Sequence, residues 1–143
     1  MSEVESRHGG GGGRLGAAEQ IVSVAAVLGA VAVGLGAWQA HGLEGFLEGR
    51  SPAEKLAERV EQFGVGVRYQ MVHAVALLAL AGVGGGRVVA ALWTAGIVLF
   101  SGSLYVLVLA EIPVMGAVTP LGGLALIGGW VMLAISAARG RRR

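Results

Sequence analysis

The sequence predicts an all-α integral membrane protein, a four-helix bundle of spanning helices with an amphipathic surface helix in the first loop. Three observations carry this. Residues 20–40, 88–110 and 112–138, the middle stretch after Arg87 and the last after Glu111, contain almost no charge. Each is long enough to cross a hydrocarbon core, which takes roughly 20 apolar residues. A further apolar run, residues 72–83, lies between the first two. Finally, 14% of the 143 residues are charged and 55% are hydrophobic, with mean hydropathy +0.70, whereas a soluble domain carries about 25% charge. We expect one membrane domain and no separate soluble catalytic unit within this length.

The elements follow in order. Residues 1–18 are polar and Gly-rich, with an uninterrupted glycine run at 9–13, and are expected to form a flexible tail. The first span covers about 20–40. Its apolar run exceeds the roughly 7–15 residues of a signal-peptide core, and a small-x-small site such as Ala30-Val31-Ala32 would fall inside it, so a retained span is expected.

The longest polar connection, residues 41–68, contains Ser51-Pro52-Ala53-Glu54. Ser at the N-cap, Pro at the first helical position and Glu at the third read as a capping-box start. Leu56, Val60, Phe63 and Val67 then recur on one helical face, with Lys55, Glu58, Arg59 and Glu61 elsewhere. This predicts an amphipathic helix over about 52–63 that lies along the membrane surface and bends near Gly64 and Gly66. The second span is expected at about 65–84, the third at 88–110 and the fourth at 114–138, with tight connections at Gly84-Gly85-Gly86 and Glu111-Ile112-Pro113. Residues 139–143 form a basic tail.

Four spans put both termini on one side, together with Arg7, Arg14, Arg87 and the C-terminal Arg139, Arg141, Arg142 and Arg143. The positive-inside rule then predicts a multi-pass protein of the cell (inner) membrane with cytoplasmic N- and C-termini. The C-terminal cluster abuts a span and has no interleaved aromatics, so it reads as a topology signal and no nucleic-acid partner is expected. Small residues recur at spacing four in the first span (Ala26, Ala30, Gly34) and in the fourth (Ala125, Gly129, beside Gly122, Gly123 and Gly128). Such stripes serve close helix packing within the bundle or between copies.

With no Cys and no Asp, thiolate metal sites, cysteine nucleophiles and aspartate-based acid–base chemistry are absent from the repertoire. A transition-metal site would need a third ligand besides His41 and His73, and a Ser–His hydrolase would need an orienting acid at the depth of Ser101 or Ser103. Neither is found, so no metal, cofactor or catalytic residue is expected. Polar residues inside a bilayer nevertheless need partners. His41 follows the first span. Tyr69, Gln70 and His73 open the second, His73 being about 7–8 Å deeper than Arg68 at 1.5 Å per residue. Ser101, Ser103 and Tyr105 lie late in the third span, and Thr119 early in the fourth. We therefore expect His41, Tyr69, His73, Ser101, Ser103, Tyr105 and Thr119 to gather in the outer leaflet above an aliphatic inner half, either as a pocket or as a network fixing the bundle.

Four segments resemble a known family. Gly36-Ala37-Trp38-Gln39-Ala40-His41-Gly42-Leu43 is similar to its Gly-Ala-x-Gly-Ala-His-Gly-Leu element, with Gln39 in place of the usual Gly. Arg68-Tyr69-Gln70-Met71-Val72-His73-Ala74 is similar to its Tyr-x-x-x-His-Ala element. Leu99-Phe100-Ser101-Gly102-Ser103-Leu104-Tyr105 is similar to Phe-Ser-Gly-Ser-Leu-Tyr, and Thr119-Pro120-Leu121-Gly122-Gly123 with Gly129-Trp130 to Thr-Pro-x-Gly-Gly…Gly-Trp. The family is domain of unknown function 423, which includes bacterial YgdD-like proteins and eukaryotic transmembrane protein 256. The loop at 48–61 looks longer than the family's. The resemblance implies a small four-span membrane protein and no activity. The expected role is a non-enzymatic accessory or structural component of a membrane complex, in the lipid bilayer, alone or as a homo-oligomer. The alternative is binding or transport of a small solute, ion or lipid headgroup through the outer polar groups.

Overall fold

In a computed structural model describing residues 12–84 and 86–140, the chain forms five α-helices: α1 (Gly12–His41), α2 (Leu43–Leu47), α3 (Leu56–Gly82), α4 (Arg87–Leu109) and α5 (Thr119–Gly140). Short 3-10 turns at Ala53–Lys55 and Pro113–Ala117 precede α3 and α5. Four helical segments are long and apolar enough to cross a membrane: Gly16–His41, Ala53–Gly82, Arg87–Leu109 and Pro113–Gly140. Residues 1–11 of the expected tail, with Arg7 and the start of the glycine run, and the terminal arginines 141–143 lie outside the described residues, as does Gly85 of the first tight turn. Residues 12–18, expected in the tail, instead extend α1.

The long helices alternate in direction. Leu28 meets Gln70 and Gln39 meets Val60 between α1 and α3. Tyr105 meets Gly66, and Trp93 meets His73, between α3 and α4. Phe100 meets Gly122, and Trp93 meets Gly129, between α4 and α5. Close packing follows chain order, α1 on α3, α3 on α4 and α4 on α5. The first and last spans therefore form the two edges and show lipid most of their surface.

The predicted surface helix and second span are one continuous helix with no break at Gly64 or Gly66. Those glycines mark close approaches. A Cβ at Gly66 would come 2.8 Å from the Tyr105 ring, and one at Gly64 would strike the Gln39 amide. The capping box also fails to form. Ser51 makes no cap bond, because its hydroxyl donates to the Glu111 carboxylate across the bundle end. A short helix that the sequence did not suggest, α2, folds back instead, and buries Leu43 and Leu47 against Phe63 and Val108. Trp38 packs edge-on to Phe46 and Phe63 at 5.5 and 5.6 Å, closing this outer core.

The inner core joins Ala25, Leu77, Leu80, Val89, Trp93 and Leu126. Here the glycines of α5 act as expected. A Cβ at Gly122 would fall on the Phe100 backbone, with its Cα 2.7 Å away, so only glycine admits this α4–α5 approach. The stripe in α1 behaves differently. Ala26, Ala30 and Gly34 point away from α3, and nothing lies within 4 Å of a Cβ built at Gly34. The face of α1 that packs inward carries Ala25, Gly29, Ala32 and Gly36.

Candidate functional site: a polar network between the spans

The polar residues of the spans form three separate hydrogen-bonded groups, set by helical face. The first centres on Gln70 of α3, which is 3% exposed. Its Nε2 donates to the Leu28 carbonyl of α1 at 2.8 Å, and its Oε1 accepts from the Tyr105 hydroxyl of α4 at 2.9 Å. One amide thus ties three helices, using a donor on one side and an acceptor on the other. Four residues below Tyr105 on the same face, the Ser101 hydroxyl is fully buried and has no hydrogen-bond partner among the described residues.

The second group surrounds His73, which is 5% exposed. Its Nδ1 lies 2.8 Å from the Tyr69 carbonyl, and Trp130 Nε1 lies 3.1 Å from its Nε2. A carbonyl only accepts and an indole N–H only donates. Both contacts are therefore hydrogen bonds only when the ring is neutral with its hydrogen on Nδ1. Trp93 and Trp130 meet the ring edge-on at 6.1 Å each and lie 4.6 Å from one another. His73 is nine residues from the end of α3 and Trp93 six from the start of α4. At 1.5 Å per residue these are about 14 and 9 Å from the helix ends on the side of the termini, so this group lies toward the middle of the bundle and not in the half away from the termini, where the sequence predicts His73.

The third group is on the opposite side of α4. Ser103 and Thr119 hydroxyls lie 2.8 Å apart, with the Phe100 carbonyl 3.0 Å from Ser103 and the Met115 carbonyl 3.3 Å from Thr119. Two hydroxyl hydrogens face three contacts, so one carbonyl gives up its bond whenever the hydroxyls pair. The group pins the first turn of α5 to α4.

Two of the expected residues stand apart. His41 is exposed at the end of α1, and thirteen residues separate it from Leu28, about 20 Å of helix. The first span contributes to the buried network through a backbone carbonyl, not an imidazole. Tyr69 is 46% exposed. Its ring packs on Phe100 at 4.5 Å and on the lipid side of His73, and its part in the network is its carbonyl. Gln70, Trp93 and Trp130 join the site instead. Gln70 could have been found from its amide, a costly group to leave alone at this depth. The tryptophans carried no such signal, because an indole in a span also reads as packing.

A further polar cluster closes the outer end. Arg59, 8% exposed, has its Nε 3.6 Å from Glu111 Oε1 and donates from Nη1 to Gln62 at 3.1 Å. Glu111 also receives Ser51 and holds a left-handed backbone at φ 55°. That conformation costs a non-glycine residue of order 1 kcal/mol or more, and the two charge-assisted contacts hold it there. Arg68 reaches outward along α3 to Glu61 at 2.6 Å, carrying its charge away from the hydrocarbon.

Among the described residues, no three His, Cys, Asp or Glu side chains gather as a metal-ligand set. The grooves found along α1 are at its inner half and are lined by none of the expected site residues.

The comparisons agree with the motif resemblance. Residues 35–123 match the family model described as protein of unknown function (DUF423). The chain is similar to the UPF0382 membrane protein YwdK of Bacillus subtilis, 42% identical over 79% of this chain and 94% of that protein. It is similar to the UPF0382 membrane protein SH2409 of Staphylococcus haemolyticus, 40% identical over 74% of this chain and 84% of that one. It also resembles a UPF0382 membrane protein of Haemophilus influenzae, 36% identical over 79% and 89%. No solved structure matches the chain. With residues 35–123 matched by the family model and most of its length aligned to these membrane proteins, the chain belongs to the DUF423 family.

Proposed function

We propose that this protein is a non-enzymatic membrane scaffold, an accessory component that docks through its edge helices to a copy of itself or to a larger membrane assembly. The observation that carries the reading is the occupancy of His73. Both ring nitrogens already have partners, the Tyr69 carbonyl and the Trp130 indole, and Gln70, Tyr105, Ser103 and Thr119 are likewise engaged with one another or with backbone. Groups fixed in this way specify helix register and are not free to receive a substrate. The outward small-residue stripe of α1 supports docking, since such stripes permit close helix approach in lipid.

The test is purification of the tagged full chain in a mild detergent. A stoichiometric membrane partner or a defined homo-oligomer is expected. A lone monomer that moves a solute in proteoliposomes, with flux lost in His73→Ala, would refute the scaffold reading. That second reading, solute binding through the outer groups, is favoured by one observation, the unpartnered Ser101 hydroxyl.

The same reading places the protein in the cell (inner) membrane with its termini in the cytoplasm, on the support of Arg87 and the terminal arginines. A cysteine at position 55 should react with an impermeant maleimide from outside intact cells. Labelling only after lysis would reverse the orientation.

A further inference from the structure

The inner half of α1 is separated from α4 by a slot. Leu77 of α3 forms the floor, the α4 wall carries the short side chains Ala90, Ala91 and Ala95, and the α1 wall carries Ala17, Ile21 and Val24. The space is about 450 Å³, within the range of small-ligand sites. Its lining is apolar apart from Gln20, Thr94 and Arg87. Arg87 is the first residue of α4, and Gln20, eight residues into α1, lines the same slot. Arg87 is exposed, and makes no ion pair or side-chain hydrogen bond among the described residues.

Charge sorts this slot from its neighbour. The groove on the other flank of α1 is lined by Ala18, Val22, Ser23 and Leu78, and its charged residue is Glu19. No acid lines the first slot. We propose that the α1–α4 slot binds an anionic phospholipid of the leaflet facing the termini. One acyl chain lies on Leu77 between the alanines of α4 and the Ile21 and Val24 side of α1, and Arg87 with Gln20 holds the phosphate-bearing headgroup. The slot's amphiphilic build, a cation at the headgroup level above an apolar trough, matches that ligand at both ends. A zwitterionic lipid would offset its phosphate with its own cation and leave the charge of Arg87 uncompensated, and a free anion would leave the trough unfilled.

Native mass spectrometry of the full chain in neutral detergent, titrated with chain-matched phosphatidylglycerol or phosphatidylcholine, tests this. One arginine near the surface should favour phosphatidylglycerol about fivefold. Arg87→Gln, an exposed helix-end change, should weaken phosphatidylglycerol about fivefold more than phosphatidylcholine, whose phosphate the same arginine meets, and so abolish the preference. Ala91→Leu should weaken both lipids, and Ala18→Leu, which fills the neighbouring groove, should change neither. Equal binding of the two lipids by the unaltered chain overturns the proposal, as does a preference that survives Arg87→Gln. Complete displacement by inorganic phosphate would show an anion site without a chain slot and also overturns it. A dimer lost in Ala91→Leu would assign the slot to a second copy. Retained helical circular dichroism verifies that each variant folds.

Discussion

Gln70→Leu isolates the amide that joins α1, α3 and α4. The substitution keeps a side chain of similar size in a site only 3% exposed and removes two interhelical hydrogen bonds, to the Leu28 carbonyl at 2.8 Å and from the Tyr105 hydroxyl at 2.9 Å. Interhelical bonds in membrane proteins average about 0.6 kcal/mol and reach about 1.7. Two of them predict a loss of about 1–3 kcal/mol. The Leu28 carbonyl keeps its helical bond, so most of the cost falls on the Tyr105 hydroxyl, left without its acceptor. Tyr105→Phe should then cost about 0.6–1.7 kcal/mol alone, and much less once Gln70 is already Leu. Reversible unfolding in mixed micelles, measured for both single variants and the double, gives the coupling directly. Additivity within about 0.3–0.5 kcal/mol is the behaviour of independent sites. That outcome, or a Gln70→Leu variant as stable as the parent, would refute the view that this amide organises the bundle.

Further outcomes follow from the same geometry. His73→Leu and Trp130→Phe should each lower stability by about 1 kcal/mol, and their double-mutant cycle should show coupling through the 3.1 Å bond. Glu111→Gln should cost about 2 kcal/mol or more, because it leaves the nearly buried Arg59 without its counter-charge. A double Arg59→Met, Glu111→Leu variant should recover much of that loss in a thermal melt. Gly122→Ala should destabilise by several kcal/mol, since the new methyl meets the Phe100 backbone. Gly34→Ala, with open space around it, should be neutral or stabilising by up to about 1 kcal/mol in the same assay.

The family motifs acquire physical meaning in this fold. Gly122 and Gly129 admit the Phe100 backbone and the Trp93 ring respectively, and Tyr105 packs on Gly66, just before the second segment. Gln39, where the resemblance has Gly, reaches the Val60 carbonyl at 3.4 Å and lies over Gly64. The extra bulk on α1 is thus met by a glycine on α3.

That the chain spans a membrane four times is legible in its residues alone, because the hydrocarbon thickness reads directly as run length and absence of charge. Residue count along antiparallel helices also led to the expectation that His73, Ser101, Ser103, Tyr105 and Thr119 gather at one level, whereas they divide among separate groups. The tertiary structure alone decided which of these groups meet. Ser101 and Ser103, two residues apart, face different neighbours. Gln70 replaces Tyr69 in the network although the two are adjacent. His41 belongs to the surface, and Ser51 turns from capping a helix to holding Glu111. Depth depends on a count of residues, but partnership depends on helix rotation and crossing, which arise from packing of the whole bundle and leave no local mark in the chain.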